Sequence, residues 1–197
     1  MDNMAYIHNT FNERHITLLE FFMTSFMILR WIKSFYLDPA FGAWHLTFQD
    51  FLERHLYFLT VRFRSTKNQL AGLEKLHFRI SKSLLGNKLN RKRDLQPFML
   101  GFVDVEGSRT GRVLDIRDSS GAHVHALTIV RPELTSKFDV ALADITVTQL
   151  PPSQLRVTKF NSESGTIEKL LSYCMKGYVG TKAAYSGKED LWGFFPK

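Results

Sequence analysis

An α+β fold is the expectation from this sequence: a central antiparallel sheet with flanking helices, preceded by a helical N-terminal extension. Two observations carry it. Short runs rich in β-branched and aromatic residues are mixed with segments whose apolar residues recur at helical spacing, and long polar excursions separate them, as in an α+β domain. A third observation sets the extension apart. Aromatic residues make up 13% of the 197-residue chain, and they crowd into its first third.

The extension covers residues 1–56. Leu18, Leu19, Phe22, Phe26, Leu29 and Ile32 recur at helical spacing, until Asp38-Pro39 breaks the pattern and Gly42 follows. Phe48 to Leu56 reads as a second short helix. Residues 57–197 form the domain proper. Tyr57 to Phe63 (YFLTVRF) has strand composition. Leu70, Leu73, Leu76, Ile80 and Leu84 mark one face of a helix that Gly86 stops, with Lys75, Arg79 and Lys82 on another face. Pro97 to Val105 (PFMLGFVDV) and His123 to Val130 (HVHALTIV) are the next strands, joined by the polar connection GSRTGRVLDIRDSSG. After an irregular stretch and Pro151-Pro152, Leu155 to Phe160 (LRVTKF) is a short strand, and a polar loop leads into a helix near Ile167.

With 44% hydrophobic residues the chain can build an ordinary core. Its formal net charge of +7 favours a polyanionic partner, nucleic acid or an acidic membrane surface. The single cysteine, Cys174, excludes an internal disulfide framework and an all-cysteine zinc site; a metal here needs His, Asp or Glu. The opening MDNMAYIHNTFNERH lacks the basic-then-apolar order of a secretory signal. Between Ile16 and Leu37 the chain is strongly apolar, but Glu20, Arg30 and Lys33 interrupt it. A spanning helix needs about 20 residues with few charges, so no span is expected, and an interfacial helix stays open.

His123 and His125 flank Val124 in a strand. Side chains alternate across a strand, so both imidazoles project from one face while Val124 points into the opposite layer. Two neutral ring nitrogens on one platform begin a divalent metal site. A metal used on phosphate also needs an oxygen ligand. Glu106 and Asp104 share one face of the preceding strand, and Glu106 is the first candidate for third ligand, Asp104 the second. In the last helix Ile167, Leu170, Leu171, Cys174, Met175 and Tyr178 form one buried stripe. Tyr173 and Lys176 lie off it, three residues apart on a shared face. A phenol of ordinary pKa about 10 needs help to attack at neutral pH, and a metal-polarised phosphate with a nearby ammonium would give it.

Taken in order, FLTVRF at 58–63, HVH at 123–125 and YCMK at 173–176 resemble the three motifs of the rolling-circle replication initiator (Rep) branch of the HUH endonuclease superfamily. The resemblance spans Tyr57 to Tyr178 and leaves the first 56 residues unmatched. One departure is Val61-Arg62, where that family keeps a small or hydroxyl residue. The resemblance implies a central antiparallel sheet, and it implies Mg²⁺ or Mn²⁺ on His123 and His125 with an acidic or polar third ligand. It also implies that Tyr173 attacks the scissile phosphate to give a 5′-phosphotyrosine and a free 3′-hydroxyl, with Lys176 close by. No Gly-rich nucleotide-binding loop is present, so a fused helicase is not expected.

A single strand needs a positive track. Lys88, Arg91, Lys92 and Arg93 form the leading candidate cluster, with Arg62 and Arg64 at the end of the first strand and Arg109, Arg112 and Arg117 in the long connection. Expected partners are single-stranded or hairpin origin DNA, a host helicase or polymerase, and a second copy of the chain through the N-terminal region; a membrane is not expected. The setting would be the cytoplasm of a bacterial or archaeal host. Competing readings are a single-tyrosine transposase or relaxase, and a basic DNA-binding protein without catalysis.

Overall fold

The structure is a computed structural model that describes residues 25–43, 45–63, 69–105, 122–147, 154–182 and 192–196, excluding the side chains of 105, 146–147 and 176–182. Five strands form one antiparallel sheet: β1 (Leu56–Arg62), β2 (Phe98–Val105), β3 (Ala122–Ile129), β4 (Gln154–Lys159) and β5 (Trp192–Phe195), in the spatial order β4-β1-β3-β2-β5. The helices are α1 (25–37), α2 (Phe48–His55), α3 (Gln69–Leu85), α4 (Thr135–Val147) and α5 (Ile167–Lys182). β1 and β2 run parallel with β3 between them, and β3 and β4 run parallel with β1 between them. With α3 and α4 as the connections, these are two interlocked split β-α-β units. The α+β class and the helix-flanked antiparallel sheet agree with the sequence expectation.

Strand alternation divides the core in two. Tyr57, Leu59, Val61, Met99, Val103, Val124, Ala126 and Phe195 face one side and pack against α3 and α4. There Leu73 of α3 presses onto Gly101, whose absent Cβ would stand 2.2 Å from Leu73 Cδ2. Only a glycine lets the helix sit that close. On the other side, Leu56, Leu100, Phe102, Leu127 and Ile129 meet α1, α2 and α5.

Two elements depart from the expectation. The irregular stretch after β3 is helix α4, whose Phe138, Ala141, Leu142 and Ile145 hold the i, i+3, i+4, i+7 spacing that docks on α3 and the sheet. β-branched residues and the exposed Val140 blur that stripe in the sequence. The fifth strand, WGFF, is too short to stand out, and pairing with β2 alone makes it a strand.

The described part of the N-terminal extension is built into the sheet. Ile28, Ile32, Phe41, Phe51 and Leu52 share one cluster with Leu100, Leu127 and Leu171, so the 56/57 boundary runs through a common core. Thr47 and Asp50 close a capping box at the start of α2. The buried Arg131 fastens the entry: Nε donates to the Asp94 carbonyl and Nη1 to the Ala40 carbonyl, each at 2.8 Å, and the guanidinium lies over the Phe41 ring. Among the described residues no helix is long and apolar enough to cross a membrane.

Candidate metal centre

β3 lies at the middle of the sheet, between β1 and β2. His123 and His125 point to the α5 side, while Val124 enters the opposite core. Antiparallel register then selects the partner carboxylate. Asp104 stands directly opposite His123, and Phe102 opposite His125. Residues opposed in a pair share a face, so the Asp104 carboxylate arrives beside both imidazoles. Its Oδ2 lies 3.2 Å from His125 Nε2 and 3.4 Å from His123 Nε2, and the two Nε2 atoms are 3.2 Å apart.

The three donor atoms form a nearly equilateral triangle, which is what one face of a cation's coordination sphere requires. Three ligands at bonds of about 2.0–2.2 Å are separated by roughly 3.0–3.5 Å, depending on whether the sphere is octahedral or tetrahedral. The Asp104–His123–His125 group can therefore hold a metal ion. Burial supports this. Asp104 is fully buried and His125 is 1% exposed, and a carboxylate is stable without water only where positive charge or strong donors replace it. The His123 side chain, 14% exposed, marks the side on which water or a ligand can enter.

The three side chains have close neighbours on both β1 and α5. Thr60, opposite His125 on β1, places Oγ1 3.2 Å from His125 Nδ1. Phe58, two residues back on the same face, stacks on the His125 ring with centroids 5.4 Å apart. α5 buries Ile167, Leu171, Cys174 and Met175 against the sheet. One step around the helix, the half-buried Tyr173 packs its ring 4.9 Å from His125 and edge-on to Phe58 at 5.8 Å. The tyrosine that the core does not require stands against one of the two histidines that could hold a metal ion.

Other sequence candidates distribute differently. Glu106, Arg64, Arg109, Arg112 and Arg117 lie outside the described residues, as do the side chains of Lys176 and Tyr178; the Lys176 backbone continues α5. Asp104 is the acidic group seen beside the histidines. Lys88, Arg91, Lys92 and Arg93 are exposed, but they occupy the turn between α3 and β2 at the far end of the sheet. Phe98 and Asp104 are six residue steps apart along β2, about 20 Å at strand rise. Arg62 is at the near end, on the site face and paired with Gln154.

Arg156 is a cation that the sequence alone did not single out. Arg156 on β4 pairs with Thr60, which pairs with His125. Arg156 thus shares the site face, two strands from His125 and about 10 Å away. With Gln154 and Thr158 it forms an exposed shelf on the same sheet face as Asp104, His123 and His125. Its signal was available: in LRVTKF, Arg156 and Thr158 alternate with the half-buried Leu155 and Val157.

The chain matches no protein-family model, no curated protein and no solved structure.

Proposed function

We propose that this protein is a metal-dependent tyrosine endonuclease and strand transferase of the HUH type, which nicks single-stranded DNA at a replication origin and so starts rolling-circle replication. The observation that carries the reading is the Tyr173 ring lying 4.9 Å from His125 in the Asp104–His123–His125 group. A phenol next to a centre that can hold a cation suits attack on a phosphodiester.

In this reading Tyr173 Oη attacks the scissile phosphorus and its proton passes to solvent. The P–O3′ bond breaks, and the 3′ oxygen leaves as a hydroxyl after taking up a proton. The product is a 5′-phosphotyrosine, and attack by a 3′-hydroxyl reverses the step and rejoins a strand. Asp104, His123 and His125 would hold Mg²⁺ or Mn²⁺, which when bound offsets the negative charge that builds on the phosphate. Phe58 and His125 hold the Tyr173 ring, so little rotational freedom remains to be lost on attack. Lys176, one helical turn on, would bring its ammonium to the same phosphate. Flanking phosphates would cross the shelf of Arg62 and Arg156, giving salt-sensitive affinity with little base information. The element served would replicate in the cytoplasm of its host, recruiting a helicase or polymerase from it.

The test incubates purified protein with end-labelled single-stranded DNA and Mn²⁺, including origin candidates from its own replicon. A covalent adduct that vanishes with chelator and in Tyr173→Phe is the expected result. An adduct that survives in Tyr173→Phe moves the nucleophile elsewhere. Salt-sensitive binding with no adduct on any substrate turns the reading to a DNA-binding protein without catalysis.

A further inference from the structure

We infer that Thr60 is a positioning residue for the metal centre: its hydroxyl holds His125 in the ring orientation and tautomer that present Nε2 to a divalent cation. The inference rests on the metal-centre reading above and adds to it a role for the first strand. Three observations converge on Thr60. Its Oγ1 lies 3.2 Å from His125 Nδ1. His125 Nε2 is the nitrogen turned toward Asp104 Oδ2 and His123 Nε2, at 3.2 Å from each. The imidazole is almost wholly buried, so water is a poor substitute for a lost partner at Nδ1.

The chemistry follows from what each nitrogen must do. A metal takes the Nε2 lone pair only if the ring proton resides on Nδ1, and that N–H then needs an acceptor. Thr60 Oγ1 supplies one. Without a cation, Nε2–H can donate to the Asp104 carboxylate, and the same Thr60 hydroxyl can turn to donate to Nδ1. A hydroxyl therefore satisfies Nδ1 in both states, so loading leaves no buried nitrogen unpaired. A carbonyl or an ammonium could serve only one state. Threonine is also the stiffer choice over serine. Its β-branched side chain has few χ1 options in a strand, and direct cross-strand pairing with His125 fixes where Oγ1 points. Phe58 stacks on the ring from the neighbouring position of the same face. β1 thus grips His125 by its plane and by its Nδ1 edge.

The experiment titrates Mn²⁺ into wild type, Thr60→Val and Thr60→Ser, reading free Mn²⁺ by its electron paramagnetic resonance signal. Valine keeps the shape and removes the hydroxyl; serine keeps the hydroxyl. Thr60→Val is expected to bind Mn²⁺ roughly 10- to 100-fold more weakly, and Thr60→Ser to stay much closer to wild type. Wild type and Thr60→Val binding Mn²⁺ equally would overturn the role of Thr60 while leaving the metal centre intact. Wild type failing to bind Mn²⁺ would overturn the metal centre itself, and the inference with it. A readout on wild type needs no folded variant: ring ¹⁵N shifts of the Zn²⁺-loaded protein should show His125 protonated at Nδ1 and bound through Nε2. The opposite tautomer would refute the inference.

Discussion

Replacing Asp104 by asparagine separates the metal centre from an ordinary buried polar cluster. The carboxylate is fully buried, and its Oδ2 is 3.2 and 3.4 Å from the two Nε2 atoms. Asparagine has nearly the same shape, so the change leaves no cavity. A cation that binds only the folded chain stabilises it by about 2.7 kcal/mol at a hundred times its Kd. For a chain of this size each kcal/mol moves Tm by about 2–4 °C, so saturating Mn²⁺ should raise the wild-type Tm by about 5–10 °C. Losing the carboxylate ligand seen among the described residues should weaken binding at least a hundredfold, since even outer-sphere partners are worth about 10- to 100-fold. At the same Mn²⁺ concentration the remaining stabilisation is about 0.4 kcal/mol, about 1–2 °C. In chelator the two proteins should melt within about 3 °C, because removing a charge from a buried site relieves desolvation as it removes attraction. The assay is differential scanning fluorimetry with and without Mn²⁺, with Glu106→Gln in parallel as the other acidic candidate. An undiminished Mn²⁺ shift in Asp104→Asn would refute the assignment, and its loss in Glu106→Gln instead would move the third ligand to Glu106.

Two further outcomes test the surface and the fold. Arg156→Ala should weaken binding of a short single-stranded oligonucleotide and lower the salt slope by about 0.7 for each phosphate that the arginine neutralises. The Lys88→Ala/Arg91→Ala pair should leave that slope unchanged when the oligonucleotide is too short to span the sheet; fluorescence anisotropy across a salt series checks both. His55 is buried with Nδ1 against the Thr135 hydroxyl, and burial, then the nearby Lys159 and Arg54, press its pKa from 6.5 down to about 4. Its folded pKa lies below its unfolded one, so its contribution is complete above about pH 6.5 and is lost as the pH falls toward 4. That loss amounts to about 3 kcal/mol. Denaturant unfolding between pH 7 and 4 should show the decline, and it should flatten in His55→Gln. An unchanged slope in that variant would assign the decline to other groups.

The contrast between Arg156 and the Lys88–Arg93 cluster shows what kind of information each level of description holds. Local periodicity was legible. The two-residue repeat of a strand is enough to set His123 and His125 on one face, and the helical repeat is enough to leave Tyr173 off the buried stripe of α5. The same repeats marked β1 to β4 and helices α1, α2, α3 and α5. They failed for α4, whose stripe is masked by β-branched neighbours, and for the four-residue β5. Register belongs to the tertiary structure alone. Whether Asp104 faces His123 depends on how β2 slides along β3, and a one-residue slip would send the carboxylate into the opposite core. The distance of the Lys88–Arg93 cluster from the Asp104–His123–His125 group, the nearness of Arg156, and the entry of α1 and α2 into the sheet's core are likewise set by packing between residues far apart in the chain. Short-range repeats depend only on backbone geometry, which every sequence shares. Long-range pairing depends on the summed packing of both faces of the sheet, and no single segment carries that sum.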